Sequence, residues 1–329
     1  MTEDEMRSKE YSLAAIDCDI LAYQASSAVQ KVYYRWVFPN GHTSETFDSA
    51  KACKNHKVDA EEFLMEDTSE WQRESWTVIG TAEEAIKAVD NKINYIMHNV
   101  KAKKYQLFLT GKGNHRIAKA KLWEYKGNRK NTPKPEHLHT VRGHLINHWG
   151  AKVVDNLEAD DVLSIIGCQG WYACPDNPKT AIVTIDWDNM NSPGVIYNHN
   201  NDEFVFNTED DANRYLFIQI LCGDAATDNI QGLPMFAQET RERYSIRKSK
   251  GVGEKSAEKV IEGSEGIQEM YRRTIECYQE WYGDIHTFTT WDGREITCTA
   301  EDMMDETAEL VFLMRRKGEY WSDFKRGIL

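Results

Sequence analysis

Tyr11–Asp19 reads YSLAAIDCD, a short apolar run that ends in carboxylates. A run of this length without polar interruption suits a central strand buried on both faces, and residues 20–29 (ILAYQASSAV) suit a following helix. The alternation continues outward: Tyr105–Leu109 reads as a strand, 137–149 as a helix, Ala151–Val154 as a strand, 159–168 as a helix and Thr180–Ile185 as a strand. Short apolar strands separated by helices predict an α/β fold, a parallel twisted sheet flanked by helices. Thr81 and Glu84 form a capping box ahead of Ile86, Val89, Ile93, Ile96 and Val100, which predicts an amphipathic helix. Val32–Phe38 and Thr43–Phe47 flank Pro39-Asn40-Gly41 and predict a hairpin. From about Glu209 the chain reads as mainly helical, punctuated by glycines 223, 232, 251, 253 and 263.

Composition bounds the function. The 329 residues are 41% hydrophobic and include ten tryptophans, enough for a sizeable core. The net charge of −13 excludes a generic polycation, but the charge is uneven. Residues 101–134 hold eleven Lys or Arg against one acid, Glu124, and Arg241–Lys259 holds seven bases against three acids. A basic island in an acidic chain fits a phosphate-backbone footprint, although a charge run is more often a solvated face. No apolar run approaches the eighteen or so residues of a membrane span, and MTEDEMRSKE lacks a signal-peptide core. Seven scattered cysteines without a CxxC then suggest reduced thiols and a cytoplasmic location. Cys53 and His56 have no second pair at zinc spacing.

Carboxylates recur where the strands end. Asp17 and Asp19 follow the first strand, Glu158, Asp160 and Asp161 (NLEADDVL) open a helix, Asp186 and Asp188 (TIDWDNM) follow a later strand, and Asp224 and Asp228 (GDAATDNIQG) close another helix. Each has an ordinary explanation as a helix-start acid, a turn residue or a helix stop. Those explanations do not predict recurrence at successive strand ends, where open α/β sheets bind ligands. So many carboxylates together call for cations, and oxygen-only ligands point to Mg²⁺ or Mn²⁺. Acids beside a basic island describe a metal-dependent phosphodiester enzyme, and the lack of a GxxxxGK[ST] loop argues against triphosphate hydrolysis.

With these residues assembled, residues 11–265 resemble a 5′-nuclease of the flap-endonuclease superfamily, and above all the free-standing bacteriophage 5′–3′ exonucleases. The motifs AAIDCD, EYKGNRK (Glu124–Lys130), EADD, TIDWD, GDAATDNIQG and KGVGEKSAEKVI (Lys250–Ile261) carry the resemblance, in order. It implies a PIN-like nuclease core at 1–208, with a helical arch near 115–140, and a helix–three-turn–helix DNA-binding region with a C-terminal extension at 209–329. It also implies two Mg²⁺ ions, with Mn²⁺ as a substitute. Asp17, Glu158, Asp160 and Asp161 would hold one ion, and Asp186, Asp188, Asp224 and Asp228 would surround the second. Lys126 and Arg129 would contact the scissile phosphate and Tyr125 would stack on the terminal base. Gly251, Val252 and Gly253 would offer N–H groups to a duplex phosphate, with Lys130 and Lys255 as further DNA contacts.

The chain departs from the pattern at three places. Gly111 stands where the family often has an aspartate, Asp224 and Asp228 are four rather than three apart, and Met235–Lys250 is an insertion. The resemblance implies a monomeric 5′–3′ exonuclease and flap endonuclease acting on DNA with a 5′ end, flap or nick, and on RNA–DNA hybrids. Acting without a membrane, it would work in the cytoplasm, the host's if phage-encoded. The alternatives are a PIN-like ribonuclease and a catalytically weak DNA-end binding protein.

Overall fold

A computed structural model describes residues 1–247 and 251–329. Its main sheet has six strands: β1 (Leu13–Asp17), β2 (Tyr105–Thr110), β3 (Lys152–Val154), β4 (Thr180–Val183), β5 (Gly194–Asn198) and β6 (Glu203–Asn207). They lie in the order β3-β2-β1-β4-β5-β6, parallel except for β6, which runs antiparallel to β5. Ala14, Ala15 and Ile16 are fully buried, as a middle strand covered on both faces requires. Chain order runs outward from β1 to β3, then crosses back to β4 on the other side. The crevice at the ends of β1 and β4 is therefore a topological switch point, where such sheets bind ligands. The crossing helix, Ala159–Ala173, buries Leu163 against Ala15, Phe108, Ile182 and Ile196.

The chain divides into two compact units. The first comprises Met1–Ile20, Tyr95–Pro133 and Trp149–Leu329, and it contains the main sheet. Its second core lies among the helices Glu209–Cys222, Glu254–Ile261, Ile267–Tyr282, Ala300–Val311 and Trp321–Ile328, with Phe217, Val260, Tyr278, Met304 and Trp321 inside. The second unit comprises Leu21–Asn94 and Lys134–His148. It holds the antiparallel strands Gln30–Val37 and Gln72–Ile79 and the helix Ala50–Phe63.

The alternating strands and helices stand where the sequence places them, within a few residues. The hairpin over residues 32–47 forms only in part: Tyr34 and Phe47 exchange both backbone hydrogen bonds, at 2.9 and 2.8 Å, and the Ser44 N–H bonds Trp36 O at 2.9 Å. The chain reverses at Pro39-Asn40-Gly41, where Phe38 N–H bonds His42 O at 2.8 Å, but the full ladder of Gln30–Val37 is with Gln72–Ile79. Residues 43–47 make only isolated bridges. The Ser44 hydroxyl accepts the Trp36 N–H at 2.9 Å, so a side chain takes the place of the next ladder carbonyl. The segment 115–140 is less helical than an arch. It holds the short helix His115–Lys119, the 3₁₀ turn Gly127–Arg129 and the start of Leu138–Asn147, with Lys126 left-handed and Pro133 and Pro135 between. The hairpin β5–β6 went unread in the sequence although VIYN and EFVF flank an Asn-rich turn.

Candidate metal centre

Asp17 ends β1 and is 2% exposed. Its Oδ1 accepts the Asp19 N–H at 2.9 Å and its Oδ2 accepts the Thr184 hydroxyl at 3.3 Å, from just beyond β4. Burial, with Asp19 and Asp186 close by, pushes its carboxyl up to about 7. Asp160, in the first turn of Ala159–Ala173, is raised well above the usual range by burial and by Asp17, Asp186 and Glu158. The Asn189 amide donates to its Oδ1 at 3.0 Å. Asp186 is raised chiefly by burial, and Asp188 is pushed up to about 7 by burial and by Asp186, Asp224 and Asp228. Four carboxylates from three segments thus disfavour one another's charge at the switch point.

The last acidic segment joins them as a tight hairpin. Gly223-Asp224 pairs with Ile230-Gln231, and the turn between them carries Asp228. A Cβ at Gly223 would lie 2.3 Å from Gly232 N and 2.4 Å from Ile230 O, so only glycine allows this closure. Asp188, Asp224 and Asp228 each offer an oxygen, all within 4.8 Å of one another. The four-residue spacing therefore still delivers both aspartates. A cleft of about 410 Å³ opens over Asp186, Asp188, Asp224, Tyr215 and Gln219. The donors are all carboxylate oxygens, which suits a hard divalent cation and not zinc or copper.

The basic motif is stitched onto this hairpin. Lys126 N–H bonds Asp228 O at 2.8 Å, Asn128 Nδ2 bonds Ala226 O at 2.9 Å, Arg129 Nε bonds Thr227 O at 2.8 Å and Asn229 Nδ2 bonds Glu124 O at 2.8 Å. Lys126 adopts a left-handed backbone conformation (φ 57°), uncommon for a lysine and held here by those bonds. Its ammonium pairs with Glu158 and lies 3.4 Å from Asp228 Oδ2, while Arg129 pairs with Asp228 Oδ1. Burial disfavours the Lys126 charge, but Glu158 and Asp228 outweigh it and raise its pKa. Burial likewise opposes the Glu158 charge, and Lys126 with Arg116 hold its pKa low.

Two expected roles do not match the geometry. Asp161 was expected to face a metal, but it is fully buried and gives both oxygens to Arg116, at 2.8 Å each. Arg116 also donates to the Leu310 and Phe312 carbonyls, so Asp161 belongs to a closed ion pair that lowers its pKa against the effect of burial. Tyr125 was expected to stack on a base, but its ring is 6% exposed and lies in the helical core. Its hydroxyl sits 2.9 Å from Glu158 Oε2 and 3.0 Å from Asp228 Oδ2. The ring is spent on packing.

The remaining predicted residues are peripheral. Lys130 pairs with Glu124 at 2.5 Å. Gly251, Gly253 and Lys255 are exposed around the start of Glu254–Ile261, whose N-cap is Gly253. Lys250, at the head of that motif, lies outside the described residues, as do Lys248 and Ser249 of the insertion. Gly111 is a steric requirement: a Cβ there would lie 2.2 Å from Asp155 Oδ1 and 2.8 Å from Val154 O. The acid that meets the end of β2 is instead Asp19, whose Oδ2 accepts the Thr110 N–H at 2.7 Å.

Arg116, Asn189 and Gln219 were missed from the sequence. Gln219 Nε2 donates to Asp188 Oδ1 at 2.6 Å, and its Oε1 accepts from Asn191 Nδ2 at 3.1 Å. Its signal was available: one amide inside the otherwise apolar run YLFIQILC. Among the described residues no helix is long and apolar enough to cross a membrane.

No protein-family model matches the chain, and no curated protein matches it. Among solved structures it is similar to bacteriophage T5 flap endonuclease in a complex with DNA and metal ions, at 10% identity over 92% of this chain and 99% of that one, with a TM-score of 0.39. It is also similar to a mutant T5 5′-exonuclease (12% identity, 92% and 98% covered, TM-score 0.39) and to the zinc-bound T5 5′-exonuclease (14%, 69% and 89%, 0.35).

Proposed function

We propose that this protein is a divalent-metal-dependent phosphodiesterase of the 5′-nuclease type, cleaving DNA from a 5′ end or at a flap and leaving 5′-phosphates. The observation that carries this reading is the meeting of Asp17, Asp160, Asp186, Asp188, Asp224 and Asp228 at one switch point, with Lys126 and Arg129 fastened to its rim. Like charges crowded in this way persist when a cation uses them. Asp17 and Asp160 would hold one Mg²⁺ or Mn²⁺, with Glu158 beside them, and Asp186, Asp188, Asp224 and Asp228 the other. Such ions supply charge neutralisation and an activated water for attack on phosphorus.

The protein's own groups do the rest. Asn189 and Gln219 fix the lone-pair directions of Asp160 and Asp188 before substrate arrives. The hydrogen bonds between 124–129 and 224–229 hold Lys126 and Arg129 beside the carboxylates, where a bound phosphate would draw both cations. Lys126 would then stabilise charge that grows on the phosphoryl oxygens in the transition state. Gly251 and Gly253 with Lys255 would grip the duplex backbone at a distance from the chemistry.

The test is digestion of 5′-labelled flap, nicked and blunt DNA, with and without Mg²⁺. Metal-dependent release of 5′-phosphorylated products is expected. Binding without cleavage at millimolar Mg²⁺ would leave only a DNA-end binding protein.

A further inference from the structure

Residues 30–79 carry a surface that the carboxylate cluster does not use. In the antiparallel pair Gln30–Val37 with Gln72–Ile79, Lys31 stands opposite Val78, Tyr33 opposite Trp76 and Arg35 opposite Glu74. Alternate side chains of a strand take opposite faces, so these six share one face. Trp36 takes the other, buried under the helix Ala50–Phe63 with its indole N–H donating to Cys53 O at 2.7 Å. The buried residue of the pair, Trp36, therefore lies on that side.

The opposite face has the composition of a recognition surface. The Tyr33 and Trp76 rings stack with centroids 6.0 Å apart and planes 26° from parallel. The Arg35 guanidinium lies 5.2 Å from the Trp76 ring centroid and pairs with Glu74 at 2.6 Å. The face is partly open: the Arg35 side chain is 38% exposed and Val78 50%, Lys31 is exposed, and the Tyr33 and Trp76 rings are half-buried. Water-facing positions of a two-stranded sheet need no tyrosine, tryptophan and arginine in contact. Aromatic faces flanked by cations are what unpaired bases and their phosphates require. Lys31, Tyr33 and Arg35 recur at about 6.7 Å along the strand, a pitch on the scale of one extended nucleotide.

We propose that this face is a stacking platform for an unpaired DNA strand. Bases extend the Tyr33–Trp76 stack and Lys31 meets a flanking phosphate, while Arg35 reaches one only by exchanging its Glu74 partner. The choice of ligand rests on the nuclease reading above; the surface itself does not depend on it.

The experiment uses the full-length protein in EDTA, so that nothing is cleaved. Fluorescence anisotropy measures affinity for a labelled oligothymidylate and for a blunt duplex. Tyr33→Ala with Trp76→Ala should weaken single-strand binding by about tenfold or more, leave duplex binding within about twofold, and leave the melting temperature near that of the parent. Trp76→Phe, which keeps a ring, should recover most of the loss. Crosslinking of a bromouracil-substituted strand to the parent protein should map to Tyr33 or Trp76, a readout that needs no variant. Unchanged single-strand affinity, no single-strand binding by the parent, or crosslinks confined to other segments would overturn the platform. So would a change from dimer to monomer with affinity intact, which would make the face a contact between copies of this chain. Absence of cleavage with Mg²⁺ on every substrate would instead defeat the nuclease reading and leave these binding results standing.

Discussion

Asp160 and Asp161 are neighbours in the first turn of one helix, yet they are opposite electrostatic objects. Asp161 is buried against a guanidinium that takes both of its oxygens, and its pKa is lowered. Asp160 is half-buried beside Asp17, Asp186 and Glu158, and its pKa is raised. Burial alone disfavours either charge. The partner decides whether a buried carboxylate is structural or is kept in a costly state that a cation relieves. The helix start therefore has one side that closes the fold, through Arg116 to the Leu310 and Phe312 carbonyls, and one side that holds the chemistry.

Single substitutions should split the two sides. Asp186→Asn or Asp160→Asn is expected to reduce cleavage to background while DNA binding persists, and to leave metal-free thermal stability equal or raised. Asp161→Asn should do the reverse to stability, costing about 3–5 kcal/mol by leaving Arg116 buried and underpaired. Chemical denaturation in EDTA beside a cleavage assay measures both. If Asp161→Asn is as stable as Asp160→Asn, the contrast fails.

The rim separates less sharply. Lys126→Ala should slow the single-turnover rate by about 2–4 kcal/mol of barrier with little change in DNA affinity, because its charge acts on the transition state. A variant altered only in dissociation constant would make Lys126 a backbone contact. Gln219→Leu should raise the Mg²⁺ concentration for half-maximal cleavage by about 10- to 100-fold, since it frees the Asp188 carboxylate without removing a ligand. An unchanged Mg²⁺ titration would count against that bond.

The pH dependence follows from the raised groups. Asp17 and Asp188 titrate near 7 in the folded protein and near 4 when unfolded, so the folded state binds more protons between those values. Stability in EDTA should therefore fall as pH rises from about 4 to 7, by up to about 1.4 kcal/mol per pH unit for each group. Asp17→Asn should flatten that slope, and an identical slope in parent and variant would refute the shift.

The smallest effect is expected from the insertion. Arg243 already pairs with Glu280 and Glu276, so its share of any phosphate contact is reduced. Changing Arg241, Arg243 and Arg247 to Ser should lower the slope of log affinity against log salt by about one unit or less. No change would place the insertion outside the DNA surface.

Much of this was legible in the sequence. Apolar runs such as LAAI and TAIV suited central strands, because both faces of such a strand are covered. Acids at their ends therefore pointed to one crevice, and only the resemblance of EYKGNRK to a family motif singled out Lys126 and Arg129 within the basic island. Long-range pairing was not legible. Nothing local tells that Gln30–Val37 would build its full ladder with Gln72–Ile79 and meet the nearer residues 43–47 only at the Tyr34–Phe47 and Val37–Thr43 bridges. Asp160 and Asp161 have the same composition and spacing, and only the arrival of Arg116, forty-five positions away, separates them. Sequence determined which residues were charged and roughly where the strands placed them. Tertiary structure decided which charges were answered, because the pKa of a buried carboxylate is set by what packs within a few ångströms of it, whatever the distance along the chain.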